Sequence, residues 1–519
     1  MKILFIWPNY DCPIGMSIGV AYLSSVLQQE GFETKILHIN DELGYPYDKD
    51  VIVKDIEEIN PDIVCISTGE NHYSDMYDLS KNIKEKIGKN IIIGGIHATL
   101  NAEDVLTLDS PFDYLIRGEG EWAIKELMIG LRDKKDVSNV QNVWIKKDGI
   151  IIKNKMRRFV DNFSLPFMDL DNWDFEKITK LRRGWVNISM NRGCPYRCTF
   201  CHNLAEVKIL KEDFNCATTS NKELGYLRLR NIDNMINELK YIKNKYDFVT
   251  AFSFIDDTFT YDKEYMKKFF VRYKNEVGLP FVCLTTVNDV DDELLELMKD
   301  ANCDLVRFGV ESTTDRICKN IIKRKFSEEK LRKVFKKCKE IGLRTFSYNI
   351  VAHPTETKEE IINTMLLNSE IQPSGIRISL GYPYKGTEYY EIAKKMGQLD
   401  ETTEYHNYST GTKFKFTVEE KLWIDKFKSF FWWWLNVNQN ELLYSLYNPL
   451  ILELESIGIN EWYNNKESIL DYYIELDRKI SEHLQEKNIP HYNAPYGERP
   501  DIALYQNSHV LKKELIDEH

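Results

Sequence analysis

No stretch of this 519-residue chain holds the ~20 consecutive apolar residues that a membrane-spanning helix requires. Basic residues are the minority, 69 Lys and Arg against 81 Asp and Glu, and the formal net charge of −12 argues against a nucleic-acid partner held by bulk electrostatics. There is no basic tail and no long run of one charge. The opening MKILFIWPNY lacks the apolar length and the small-residue cleavage site of a signal peptide. Cysteine is too sparse for a disulfide scaffold. Cys12, Cys65, Cys216, Cys283, Cys303, Cys318 and Cys338 are scattered, several on apolar faces, as expected of buried thiols in a reducing, cytoplasmic setting. The length suffices for roughly two to four domains.

The other three cysteines are not scattered. Cys194, Cys198 and Cys201 lie in NRGCPYRCTFCHN (191–203), spaced Cys-x3-Cys-x2-Cys. Trp185, Val186, Ile188 and Met190 form an apolar strand leading in, and Gly193 and Pro195 turn the chain, so the thiols are predicted on a loop at a strand end. Three thiolates at this spacing can each hold one iron of a [4Fe–4S] cluster and leave the fourth iron open to a small molecule. The alternatives are a structural zinc or a disulfide knot. Zinc sites usually take four ligands in two separated pairs, and His202, adjacent to Cys201, is awkwardly placed as a fourth.

This motif, with Phe200 before the last cysteine, resembles the radical S-adenosylmethionine family. The resemblance implies that the open iron chelates S-adenosylmethionine and that one electron cleaves it to methionine and a 5′-deoxyadenosyl radical. An external donor of flavodoxin or ferredoxin type would supply that electron.

Upstream, short apolar runs (2–7, 34–39, 62–67, 90–95, 113–116) alternate with helical periods, which predicts a parallel sheet with helices on both faces. Ligands in such sheets sit at the carboxyl ends of the strands. GGIHAT (94–99) and RGEGE (117–121), ahead of a radical motif, resemble the cobalamin-binding domain of cobalamin-dependent radical enzymes. The resemblance assigns Ser67, Thr68, Gly94, Gly95 and Gly118 to the corrinoid, the glycines allowing close backbone approach. The Asp-x-His-x-x-Gly cobalt-ligand motif of the methionine-synthase type is absent, and His97 reads as a packing histidine.

Residues 141–158 predict a hairpin turning at Lys-Lys-Asp-Gly (146–149), and the acidic NFSLPFMDLDNWD (162–174) a connector. After the cysteines, 204–227 reads as irregular. Strand candidates at 249–255, 280–286, 304–310, 344–350 and 375–380, most separated by helical periods, predict a full or partial barrel. About six such units, counting the strand before the cysteines, match the open barrel of the radical family. The resemblance places Asp256, Glu311, Ser312, Arg324, Ser347 and Asn349, together with Phe200, around S-adenosylmethionine. In AHPTET (352–357), Ala352 and Thr355 stand where that family usually has glycine, which argues against close backbone approach there.

Beyond YPYKGTEYY (382–390) the chain reads as largely helical. FFWWWL (430–435) is either packed core or a wall of the substrate pocket, and the tail 491–497 a segment able to fold over the site. The expected fold is α/β: a Rossmann-like cobalamin-binding domain (1–140), a hairpin and linker (141–180), a partial (β/α)6 TIM-like radical barrel (181–390) and a mostly helical C-terminal domain (391–519). The resemblance implies a methyltransferase that moves a methyl from methylcobalamin to an unactivated carbon of a small-molecule substrate through a 5′-deoxyadenosyl radical. Two rivals remain: a radical cyclase or rearrangement enzyme whose cobalamin moves no methyl, and a non-catalytic cobalamin and iron–sulfur sensor. No residue beyond the cluster ligands is assigned a catalytic role, and no motif identifies the substrate.

Overall fold

The computed structural model describes residues 1–159, 165–325, 327–400, 402, 411–494 and 501–506. Residues 162–164 of the connector and 495–497 of the tail lie outside them. The chain forms two compact units, Met1–Asp256 with Tyr384–Glu388, and Asp257–Pro383 with Tyr389–His519.

The first unit opens with β1 (Lys2–Pro8), β2 (Glu33–Ile39), β3 (Ile63–Ser67), β4 (Asn90–Gly94) and β5 (Tyr114–Ile116), followed by β6 (Val143–Lys147) and β7 (Ile150–Lys153). They make one sheet in the order β2-β1-β3-β4-β5-β6-β7, parallel through β5 and antiparallel beyond it. Ile3, Leu4, Phe5 and Ile6 are all buried, because both faces are covered and a strand of a parallel sheet carries an unbroken apolar run. Ser17 caps the helix Ile18–Gln29, and Asp48 caps Lys49–Ile59. The predicted hairpin turns at Asp148 (φ +51°) and Gly149 (φ +74°), two left-handed residues as a tight antiparallel turn requires. It extends the sheet.

Later in this unit β8 (Trp185–Ile188) pairs with a parallel β11 (Ala251–Phe254), and β9 (Asn191–Arg192) with an antiparallel β10 (Arg228–Leu229). The stretch read as irregular contains a helix, His202–Asp213. Its apolar positions form no clean stripe, since buried Asn203 interrupts Ala205, Val207 and Leu210. Packing against Met156, Phe159, Leu224 and Tyr226 stabilises it instead.

In the second unit β12 (Phe281–Thr285), β13 (Cys303–Glu311), β14 (Arg344–Val351) and β15 (Gly375–Leu380) are parallel in that order. Helices Lys263–Glu276, Asp292–Asp300, Glu328–Glu340 and Lys358–Ile371 alternate with them. β16 (His491–Asn493) and β17 (Ile502–Gln506) then close the edge of β15 antiparallel. The described part of the tail, 491–494, is thus committed to strand pairing rather than to covering a site. Two short strands at the end of a helical region gave no period to read.

The aromatic run is core. Phe430 to Leu435 are at most 5 % exposed and pack with Val351, Ile376, Ile378 and Leu380 of the sheet. Phe430 stacks on Trp433 at 4.4 Å. The Trp432 and Trp433 indoles each donate to one oxygen of buried Asp477, both at 2.9 Å. The pocket-wall alternative fails because these rings are spent on one another and on the sheet. Among the described residues no helix is long and apolar enough to cross a membrane.

Candidate functional site: the cysteine turn and the loops at strand ends

β8 and β11 run in register up to Ile188 opposite Phe254, and Asp256 follows at the strand end. Its Oδ1 accepts from the Met190 N–H (2.8 Å), the Asn191 N–H (2.6 Å) and the Ser189 hydroxyl (3.1 Å). The Arg230 N–H donates to the Met190 carbonyl at 3.0 Å. Asp256, expected at S-adenosylmethionine, thus has one carboxylate oxygen committed to the backbone that launches the cysteine turn. Nothing in the sequence beyond its position at a strand end signals that anchoring role.

Gly193 follows at φ +82°, and a Cβ there would lie 2.3 Å from the Tyr226 carbonyl oxygen. Only glycine fits. Cys198 is buried, and Cys194 and Cys201 are partly exposed, as is Phe200. None is in a disulfide. The Cys201 N–H donates to the Cys198 carbonyl at 3.1 Å, and Cys201 is the N-cap of helix His202–Asp213, where the helix dipole favours the negative charge of a ligating thiolate. A four-iron cluster gives each thiolate its own iron, so this turn fits the cluster. Gly193→Ala is expected to force the turn off Tyr226. The strain of a left-handed alanine, about 1–2 kcal/mol, adds to the clash, and iron bound after anaerobic reconstitution should fall well below one cluster per chain.

At the end of β13, in the second unit, the register with β14 shifts between Gly309 and Glu311. Glu311 takes φ +67°. Arg324 Nη2 donates to the Gly309 carbonyl at 2.6 Å, and its Nη1 lies 3.5 Å from Glu311 Oε1. Burial raises the Glu311 carboxyl above its ordinary value, against the pull of Arg324. The structure thus joins the two residues expected at the amino-acid end of S-adenosylmethionine. Ser312 is fully buried, its hydroxyl accepting from the Thr314 N–H at 3.3 Å.

Ser347 and Asn349, also expected around S-adenosylmethionine, bond to each other and to the neighbouring helix. Asn349 Nδ2 donates to Ser347 Oγ at 3.0 Å, and Asn349 Oδ1 accepts from Asn368 of the helix Lys358–Ile371 at 2.9 Å. Strand alternation puts Ser347, Asn349 and Val351 on that helix-facing side, opposite Tyr348 and Ile350.

Ala352 and Thr355 adopt φ +59° and +67°, so this loop keeps a left-handed backbone without glycine. Within it the His353 N–H donates to Glu356 Oε2 at 3.0 Å, and His353 Nδ1 lies 2.6 Å from the Tyr389 hydroxyl. Burial pushes Glu356 up to about 8 and His353 down to about 3. The acid's folded value exceeds its ordinary 4.5, so its contribution to stability is present below that pH and is lost as the pH rises towards 8. The histidine works in the opposite sense: its contribution is present above pH 6.5 and is lost as the pH falls towards 3. Glu356→Gln is expected to raise the urea midpoint above pH 8 and to leave it unchanged below pH 4.5.

In the first sheet, Ser67 and Gly94 end the neighbouring strands β3 and β4, and the Thr68 hydroxyl donates to the Gly69 carbonyl at 2.9 Å. A Cβ on Gly95 (φ +94°) would lie 2.6 Å from the Thr68 carbonyl oxygen. The close approach that requires glycine there is therefore chain against chain. The Gly118 N–H donates to Thr99 Oγ1 at 2.9 Å. His97 stacks on Tyr73 at 4.1 Å, as a packing histidine does, and its buried Nδ1 has no hydrogen-bond partner. An orphaned polar atom beside a glycine loop at parallel strand ends fits a ligand rimmed with amides, as a corrinoid is.

Known proteins match both halves. The B12 binding domain matches residues 13–128, and the Radical SAM superfamily matches residues 188–367. An uncharacterised methyltransferase of Pyrococcus horikoshii is 28 % identical over 407 residues, 76 % of this chain and 83 % of that protein. Cytidylyl-2-hydroxyethylphosphonate methyltransferase of Streptomyces wedmorensis is 24 % identical over 74 % of this chain and 78 % of its own. The methyltransferase TsrM of Kitasatospora setae, solved with cobalamin and a [4Fe–4S] cluster bound, shares the fold at a TM-score of 0.61 and 15 % identity, over 78 % of this chain and 81 % of that one. With an α/β B12-binding domain, a radical SAM domain carrying the cysteine triad and a largely helical C-terminal region, the chain belongs to the cobalamin-dependent radical S-adenosylmethionine enzymes.

Proposed function

We propose that this enzyme is a C-methyltransferase acting on an unactivated carbon of a small molecule in a reducing, cytoplasmic setting, with electrons from a flavodoxin or ferredoxin. The observation that carries the reading is the cysteine turn, three thiols free of disulfides on a loop fixed by Asp256 and Gly193, in a chain whose relatives include methyltransferases. When bound, the cluster supplies the electron that cleaves S-adenosylmethionine, and the corrinoid carries the methyl group. Cys194, Cys198 and Cys201 would hold the cluster, with Phe200 beside it. Arg324 would pair with the carboxylate of S-adenosylmethionine through its guanidinium fork. Glu311, with Ser312 behind it, would accept from the amino group. Ser67, Thr68, Gly94, Gly95 and Gly118 would line the corrinoid tail, with His97 Nδ1 available to one of its amides.

The test supplies S-adenosylmethionine bearing a trideuterated methyl to the reconstituted enzyme with an extract of the producing cell, followed by mass spectrometry. The expected product is one compound heavier by a single trideuteromethyl group on carbon. A product that has lost hydrogen at constant carbon count would instead assign a cyclase or rearrangement enzyme. Neither 5′-deoxyadenosine nor S-adenosylhomocysteine formed on reduction would assign a sensor.

A further inference from the structure

β9 and β10 register Arg192 directly opposite Arg228. Two guanidiniums on one face of a two-stranded ribbon repel unless an anion lies between them. Glu119 is that anion. Arg228 grips it with both terminal nitrogens, Nη1 on Oε2 at 2.9 Å and Nη2 on Oε1, and Arg192 Nη1 stands 3.1 Å from the same Oε1. Arg192 Nη2 donates to Glu121 Oε1. Burial opposes the charge on Glu119, and the two arginines more than offset it, holding its carboxyl below the ordinary value.

These four residues come from the two ends of the chemistry. Glu119 follows Gly118 in the loop that leaves β5 and Glu121 opens the helix Glu121–Arg132, both inside the B12-binding match, while Arg192 precedes Cys194 by two residues, inside the radical match. A second joint lies close by in sequence. Arg230, fully buried, donates to Glu238 and to the Tyr22 hydroxyl (2.8 Å), and Glu238 Oε1 accepts from the Met168 N–H at 2.7 Å. Tyr22 lies on the first helix of the B12-binding half.

We infer that Glu119, Glu121, Arg192 and Arg228 form a clasp that fixes the cysteine turn against the corrinoid-side loop, as positioning residues for the two cofactors. This rests on the reading that both cofactors bind. A radical made at one cofactor and a methyl held at the other must meet the same carbon, and a misplacement of about 1 Å costs on the order of 10²-fold. A fork of charged hydrogen bonds holds such a spacing better than apolar packing, because it fixes direction as well as distance.

The test compares parent, Glu119→Gln and Arg192→Lys full-length proteins, reconstituted with iron, sulfide and hydroxocobalamin and then reduced. The readout is the enhancement of cob(II)alamin spin relaxation by the reduced cluster, together with hydrogen exchange of 117–121 and 188–201 in the apoproteins. Expected are unchanged iron and cobalamin contents, a relaxation enhancement lost in Glu119→Gln and weakened in Arg192→Lys, and exchange that rises in both segments together. Should Glu119→Gln fail to fold, Arg192→Lys, which keeps the charge, decides alone. An enhancement equal in parent and variants, or absent from the parent, overturns the clasp. A parent that retains iron or cobalamin but not both overturns the functional reading and the clasp with it.

Discussion

Cys198→Ala is expected to leave a folded chain that binds cobalamin but forms no 5′-deoxyadenosine from S-adenosylmethionine under a strong reductant. The reason is the geometry of the turn. Cys198 is the most buried of the three thiols, 7 % exposed, and its carbonyl receives the Cys201 N–H, so it is held in the turn by both burial and backbone. An alanine there keeps that backbone hydrogen bond and removes one iron ligand. The folded turn would survive, and a cluster there would lose one of its three thiolate ligands. Cys12→Ser, at an exposed cysteine outside the turn, should leave iron content and cleavage unchanged. Iron analysis and chromatography of the nucleoside product distinguish the two. Activity in Cys198→Ala equal to the parent would remove the turn from the chemistry.

The second large effect is on stability. Glu238 and Arg230 are both completely buried, and the carboxylate also receives the Tyr22 hydroxyl (3.3 Å) and the Met168 N–H. Glu238→Ala removes the carboxylate that this buried guanidinium is paired with, which costs about 3–5 kcal/mol. A downward shift of the urea midpoint at constant slope measures it. The double variant Glu238→Leu with Arg230→Met should recover much of the loss, since a buried pair replaced by apolar groups of similar volume is often close to neutral. Equal destabilisation in the single and double variants would mean that packing around the pair, rather than its charge, holds this region.

The parts of the fold that were legible in the sequence are those with a strong local period. β1, β3 and β4 are buried on both faces and read as unbroken apolar runs. The hairpin at Asp148-Gly149 declared itself through turn chemistry. The helix His202–Asp213 did not, because its buried positions include Asn203 and its stability comes from Tyr226 and Phe159, far away in sequence. The same limit applies to the site. The three cysteines carry their chemistry in their spacing, and Glu311 with Arg324 was expected only through the family resemblance. The side-chain directions of Ser347 and Asn349 depend on which face of β14 meets the helix Lys358–Ile371, a tertiary fact. The opposite charges of RGEGE and of Arg192 and Arg228 were visible as residues. Their union depends on β9 pairing with β10, two residues each, too short to leave a pattern.

The proposed function has one protein use S-adenosylmethionine in two ways, as a methyl donor to a corrinoid and as a radical source at a cluster. It is tested most directly by following both fates in one anaerobic reaction of the reconstituted, reduced enzyme with substrate-containing extract. The account predicts S-adenosylhomocysteine and 5′-deoxyadenosine rising together in comparable amounts, with the first abolished when cobalamin is omitted and the second when Cys198 is alanine. Formation of 5′-deoxyadenosine with no cobalamin-dependent S-adenosylhomocysteine would contradict it.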